Sequence, residues 1–180
     1  MSEQSQLIEV KEPIKTTQLD PKFKFEVAKM PGGENILYCF QCGKCSATCP
    51  VRRFDNNYQP RLIIRATLLG LREIVLCSDV IWLCAACYSC TQRCPQGVRI
   101  TDIMQAIRNL AVKKGHVPPF FKIQADTIAS HGRIYSDVSF INEQRTEIGL
   151  PPLQPINLEE ISKILKNART RKLPLVEKAE

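Results

Sequence analysis

One cysteine pattern is written twice in this chain, and that repeat restricts the fold more than any other feature. Cys39, Cys42, Cys45 and Cys49 read C-x2-C-x2-C-x3-C, with Pro50 next; Cys84, Cys87, Cys90 and Cys94 read the same, with Pro95 next. The second copy follows the first by 45 residues at all four cysteines and at the proline. Three thiolates two residues apart can wrap a compact loop around three corners of an iron–sulfur cube, and the remaining iron then needs a thiolate from elsewhere. The cysteine three residues further on points away from that loop, and the proline turns the chain. Zinc sites use separated C-x2-C pairs, four ligands per ion, and give no reason for the third cysteine or the proline. The pattern therefore predicts two [4Fe–4S] clusters; a zinc-stabilised binding module is the remote alternative.

Length and composition agree with a small redox protein. At 180 residues the chain is expected to form one domain with tails. Nine cysteines without an apolar leader argue for a reducing, cytoplasmic setting rather than a secreted disulfide framework. No uncharged apolar run reaches the length of a membrane span, and Arg65 breaks the longest candidate, 62–71. The formal charge of +7 would ordinarily suggest nucleic acid. Eight ligating thiolates and two oxidised cubes bring the loaded chain to about +3, which removes much of that argument. Lys44, Arg52, Arg53, Arg93 and Arg99 flank the cysteines in sequence, either as a solvated face or as charges that stabilise the reduced clusters.

Helical punctuation runs along the rest of the chain. Residues 1–19 read as an extended arm, and Asp20-Pro21 as the start of a helix carrying Phe23, Val27 and Met30, stopped by Pro31-Gly32-Gly33. Between the runs, Pro60 opens a helix with Leu62, Ile63, Ala66 and Leu69 on its apolar face, ended by Gly70; Ser78 caps a turn leading into Cys84. Thr101 is the expected cap of a helix with Ile103, Ile107 and Leu110 on one face, ending near Gly115. Pro118-Pro119 opens another, with Phe120, Ile123, Thr127 and Ile128, closed by Gly132. A short helix is expected over 142–148, and a last one after Asn157, with Glu160 completing a capping box and Leu158, Ile161, Ile164, Leu165 and Ala168 as its stripe. No strand pair is evident between the runs. The expected class is all-α: a helical ferredoxin domain over 20–117 and extra C-terminal helices over 118–180 that dock a partner.

The doubled run resembles that of two-cluster bacterial ferredoxins, in which the fourth cysteine ligates the other cluster. This resemblance implies Cys39, Cys42, Cys45 and Cys94 on one [4Fe–4S] cluster, and Cys84, Cys87, Cys90 and Cys49 on the other. A closer likeness lies in Ile81-Trp82-Leu83-Cys84, Cys87-Tyr88-Ser89-Cys90, Cys94-Pro95-Gln96-Gly97-Val98 and Thr101-Asp102-Ile103. Together with Pro31-Gly32-Gly33-Glu34-Asn35, Arg108-Asn109 and Gly115, these resemble the iron–sulfur C-subunit of the heterodisulfide reductases of methanogenic archaea, over roughly residues 20–150. The resemblance implies electron transfer within a complex. Electrons would pass from a flavin-bearing partner to a catalytic partner that reduces the CoM-S-S-CoB heterodisulfide of methanogenesis. A hydrogenase or formate dehydrogenase would be reached through that complex. The iron–sulfur subunit of succinate and fumarate reductases is similar in its C-terminal half. However, only 38 cysteine-free residues precede the first run here, and all eight ligands are present.

Four residues outside the runs carry expectations. Cys77 reads as a small buried hydrophobe. His116 and His131 each sit beside a glycine at a helix end, with no second ligand at metal spacing. Trp82, together with Tyr88 inside the second run, is expected to pack against the clusters and exclude water. No phosphate loop, nucleophile–histidine pair or paired-carboxylate motif is present, so no catalytic site is expected in this chain, nor contact with nucleic acid, nor membrane insertion.

Overall fold

The computed structural model describes residues 14–167, and among these no strand occurs. The all-α expectation holds. Ten α-helices follow in order: α1 Phe23–Lys29, α2 Lys44–Ala47, α3 Pro50–Phe54, α4 Pro60–Leu69, α5 Arg72–Leu76, α6 Ser89–Gln92, α7 Ile100–Lys113, α8 Pro119–His131, α9 Val138–Glu147 and α10 Leu158–Asn167. Two 3-10 helices, Glu34–Tyr38 and Asp79–Leu83, lead into the cysteine runs. The chain divides into two compact units between His116 and Val117.

The first unit is built on α4 and α7. Ile63, Ile64 and Ala66 of α4 and Ile103, Met104, Ala106, Ile107, Leu110 and Ala111 of α7 are buried. The helical period brings these side chains to one face of each helix. The α1 helix buries Phe23 and Val27 against this pair, and α5 adds Val75 and Leu76. Arg72 ties α5 to the start of the unit through Asp20 at 3.2 Å and through Glu26. The hydrogen bonds from Arg72 hold the Glu26 carboxyl below its ordinary value. Two glycines set close approaches. A Cβ at Gly33 would lie 1.9 Å from the Val27 carbonyl oxygen, and one at Gly70 2.3 Å from that of Asp20. Gly70 is also left-handed, with φ +84°, and so terminates α4 as expected.

Several local expectations are corrected. Asp20 does not cap α1; its carboxylate accepts the Lys22 amide, and the turn at 21–22 delays the helix to Phe23. Leu69 is 52% exposed, while Ile64 and Thr67 face inward, so the buried face of α4 is rotated from the expected stripe. Thr101 lies inside α7 rather than capping it, because Arg99 holds the cap position. Tyr88 is 47% exposed and does not seal the second run from water; Trp82 is half-buried and packs against the core. The helix expected over 142–148 begins earlier, where the Asp137 carboxylate accepts the Phe140 amide.

The second unit contains α8, α9 and α10. Gly132 ends α8 in the left-handed region, and a Cβ there would meet Ile156 at 2.7 Å. Asn157 caps α10 by accepting the Glu159 and Glu160 amides at 3.1 and 3.4 Å, and its side-chain amide donates to the Glu160 carboxylate at 3.1 Å. Phe120 and Ile123, read as part of an apolar face, are about two-thirds exposed. The arm before residue 14 and Ala168 with the tail beyond lie outside the described residues.

Candidate metal centres

The 45-residue repeat extends from sequence into backbone. The 3-10 helices Glu34–Tyr38 and Asp79–Leu83 correspond at that offset, as do α2 and α6. Within each run, the residue two beyond the first cysteine is left-handed: Gln41 at φ 64° and Ala86 at φ 50°. So is the residue four beyond it: Gly43 at φ 85° and Tyr88 at φ 61°. Three of these four are not glycine, and non-glycine residues rarely adopt this region. Such strain persists where the surroundings impose it, and it clusters at ligand cradles.

The first three cysteines of the first run and the last cysteine of the second share one cavity. Cys39, Cys42, Cys45 and Cys94 line it together with Lys44 and Arg61. Gly97 turns the chain after Cys94 by donating its amide to the Cys94 carbonyl at 3.3 Å. The Gln41 amide donates to Cys39 Sγ at 3.3 Å. The Arg61 backbone amide donates to the buried Ser46 hydroxyl at 3.0 Å, which joins the start of α4 to α2.

A second group of thiols gathers around Tyr58. This tyrosine is 2% exposed, and its hydroxyl lies against Cys84, with Cys49 and Cys90 close by. Burial, then the hydrogen bond with Cys84, pushes the phenol far above its usual value. Cys49 itself is buried and precedes Pro50 at the start of α3. Cys90 Sγ lies 3.5 Å from the Thr101 hydroxyl, which in turn accepts from Thr91 at 3.2 Å. Cys87 is exposed, with its sulfur 3.5 Å from the Ser89 hydroxyl, a contact that lowers the thiol's pKa.

Arg108 of α7 holds the entry to this second run. Its guanidinium donates to the carbonyls of Ile81, Trp82 and Cys84 at 2.9, 3.1 and 2.8 Å. These carbonyls lie at the end of the 3-10 helix and at Cys84, just beyond it. Tyr58 and Arg61 escaped sequence reasoning. Tyr58 sits in the polar stretch Asn56-Asn57-Tyr58-Gln59, where a single aromatic was the only hint. Arg61 follows Pro60 and reads as an ordinary exposed helix residue.

These residues fit iron–sulfur clusters. None of the nine cysteines is paired in a disulfide. Burial raises the Cys45 thiol to about 11 and raises Cys39 and Cys90 as well. A buried thiol at that value keeps its proton at neutral pH unless a cation takes the proton's place, so the donor set is suited to a metal that deprotonates it. Three outcomes concern residues outside the runs. Cys77 is exposed rather than buried, 3.3 Å from His116 Nε2. His116 therefore has a potential co-ligand after all, 39 residues away in sequence. His131 ends α8 as expected.

Comparisons with known proteins agree with this geometry. Residues 35–98 match the 4Fe-4S dicluster domain, which accounts for two [4Fe–4S] clusters. The chain is 36% identical over 161 residues to the C-subunit of the H(2):CoB-CoM heterodisulfide,ferredoxin reductase of Methanothermobacter thermautotrophicus, covering 85% of each chain. It is 36% identical to the iron-sulfur C-subunit of the CoB--CoM heterodisulfide reductase of Methanopyrus kandleri, covering 85% of this chain and 86% of that one. With the corresponding iron-sulfur protein of Methanocaldococcus jannaschii, the second of its kind there, it shares 35% identity over 89% and 92% of the two lengths. None of these three is a succinate or fumarate reductase component, so that alternative is not favoured. No helix among the described residues is long and apolar enough to cross a membrane. The chain belongs to the heterodisulfide reductase C-subunit family, the iron–sulfur components of an oxidoreductase complex.

Proposed function

We propose that this chain is the electron-transfer subunit of a heterodisulfide reductase complex in the cytoplasm. In that role it links a flavin-bearing partner to the catalytic partner that reduces the CoM-S-S-CoB heterodisulfide, and reaches a hydrogenase or formate dehydrogenase only through the complex. Cys39, Cys42, Cys45 and Cys94 would hold one cluster, and Cys84, Cys87, Cys90 and Cys49 the other. The clusters supply one-electron transfer when bound. The chain's own residues would provide the path. The left-handed turns wrap each loop inward, the exchanged fourth cysteines join the two loops, and Arg108 fixes the carbonyls beside Cys84. The single observation that carries this reading is the cavity in which Cys94 of the second run joins Cys39, Cys42 and Cys45 of the first.

The ferredoxin domain is assigned to 20–117 and partner docking to 118–180, with residues 1–19 as an arm. Phe120, Ile123, Phe140, Ile148 and Ile164 are more than half exposed, an apolar load suited to a protein partner. Affinity purification of the native chain under anaerobic conditions should yield about eight irons per chain together with a flavoprotein and a cysteine-rich catalytic protein. Replacing Phe120 and Ile123 together by glutamate should lose those partners and keep the iron. A chain that purifies alone with its full iron content would overturn the assignment to a complex.

A further inference from the structure

The strongest chemistry left over lies away from both cysteine runs, at the junction of α5 and α7. Glu73 lies in α5 and Cys77, four residues on, caps its end, where the Cys77 amide donates to the Glu73 carbonyl at 2.9 Å. His116 follows the end of α7. Its position is set by a paired C-terminal closure: Gly115, at φ 82°, donates to Val112 O at 2.9 Å, and His116 donates to Ala111 O at 2.9 Å. Because α5 packs on α7 within the first unit, three donor side chains from segments far apart in sequence converge. Cys77 Sγ lies 3.3 Å from His116 Nε2 and 3.6 Å from the Glu73 carboxylate, and all three ligand atoms lie within 4.8 Å of one another.

We propose that Glu73, Cys77 and His116 form a zinc site distinct from the iron–sulfur clusters, with the fourth position open to water. The donor set is one thiolate, one imidazole and one carboxylate, the borderline combination that zinc takes. Zinc–ligand bonds of ordinary length at tetrahedral angles put neighbouring ligand atoms about 3.6 Å apart. The two sulfur distances observed are close to that edge. Lys114 supplies the outer contact: its ammonium holds the other oxygen of Glu73 at 2.5 Å, orienting the carboxylate and leaving one oxygen for the ion. The exposure of all three residues gives an ion direct entry.

The test uses the full chain with its clusters loaded. The protein is incubated anaerobically with one equivalent of zinc chloride and desalted; zinc and iron are then measured together, and the zinc coordination is read by X-ray absorption. About one zinc is expected beside about eight irons, with one sulfur at about 2.3 Å and the remaining ligands nitrogen or oxygen. Cys77→Ala and His116→Gln should each weaken zinc retention by more than about tenfold, since removing a ligand costs at least as much as removing an outer-shell partner. Their iron should be unchanged, which also shows that the variants fold. Equal zinc in wild type and variants, zinc without a sulfur neighbour, or no retained zinc would each overturn the site. Zinc arriving as iron falls would mean displacement from a cluster and would overturn it as well. Low iron before any zinc is added would count against the cluster reading alone.

Discussion

The two cysteine runs share a backbone and differ in what surrounds it. Each is entered by a 3-10 helix, turned by two left-handed residues and closed by a short helix, at a constant 45-residue offset. The first run's cavity is lined by two cations, Lys44 and Arg61. The thiols of the second group face neutral hydroxyls, those of Tyr58, Thr91 and Thr101. The backbone is therefore what the cradle requires, and the side chains around it are free to set each centre's electrostatics. Cations near a cluster stabilise its more negative reduced state more than hydroxyls do. The surroundings thus favour reduction at the first run over the second, an asymmetry that a wire between two partners can use.

The largest effect that tests this comparison comes from the fourth cysteines. If each belongs to the opposite centre, Cys94→Ser should damage the cluster of the first run and Cys49→Ser that of the second. Each variant should lose up to one cluster's iron, and paramagnetic resonance should show which signal survives. The same outcome with the assignments reversed would mean that each run holds its own cube, and the two loops would no longer be stapled through the clusters.

Next in size is the backbone itself. Gly43 and Tyr88 occupy equivalent left-handed positions, yet only one is glycine. A Cβ at Gly43 would lie 3.6 Å from the Arg61 side chain, ordinary contact, so Gly43→Ala isolates the cost of the conformation. That cost is roughly 1–2 kcal/mol. Iron release to a chelator should quicken about five- to thirtyfold, at the first run's cluster only. Tyr88→Gly should slow release from the second cluster or leave it unchanged, because relief of strain is offset by glycine's greater freedom in the unfolded chain. A loss as large as that of a ligand variant in Gly43→Ala would show that the two loops are not equivalent.

Much of this was legible in the sequence because it was local. Spacing gave the runs, Pro60 and Gly70 bounded α4, and Asn157 with Glu160 marked the start of α10. What escaped depends on contacts between distant segments. Thr101 looked like a helix cap, but Thr91 accepts its backbone amide at 3.2 Å and its hydroxyl turns toward Cys90. Cys77 looked like a buried hydrophobe because it lies outside both cysteine runs; its neighbours are Glu73, one turn earlier, and His116, brought in by the packing of α5 on α7. The rotation of α4's buried face is of the same kind. Periodicity defines an apolar stripe, but its neighbours decide which edge is covered, and here Leu69 is left outside. Tyr58 is the clearest case, since its hydroxyl lies against Cys84, a cysteine of a run that begins 26 residues later.

That hydroxyl supplies the smallest effect and the most selective one. Tyr58→Phe keeps the buried ring, so the fold and iron content should be preserved, and only the hydrogen bond toward Cys84 is removed. A hydrogen bond to a cluster sulfur favours the reduced, more negative state, so its loss should lower the potential of the second run's cluster. A net hydrogen bond is worth about 1 kcal/mol, which for a one-electron couple corresponds to a few tens of millivolts. Redox titration followed by paramagnetic resonance should show one signal shifted downward and the other unmoved. If both shifted equally, the hydroxyl would be acting on the whole unit rather than on one centre. If neither moved, the neutral hydroxyls of the second group would have no part in separating the two potentials, and the cations beside the first run would be left to do so alone.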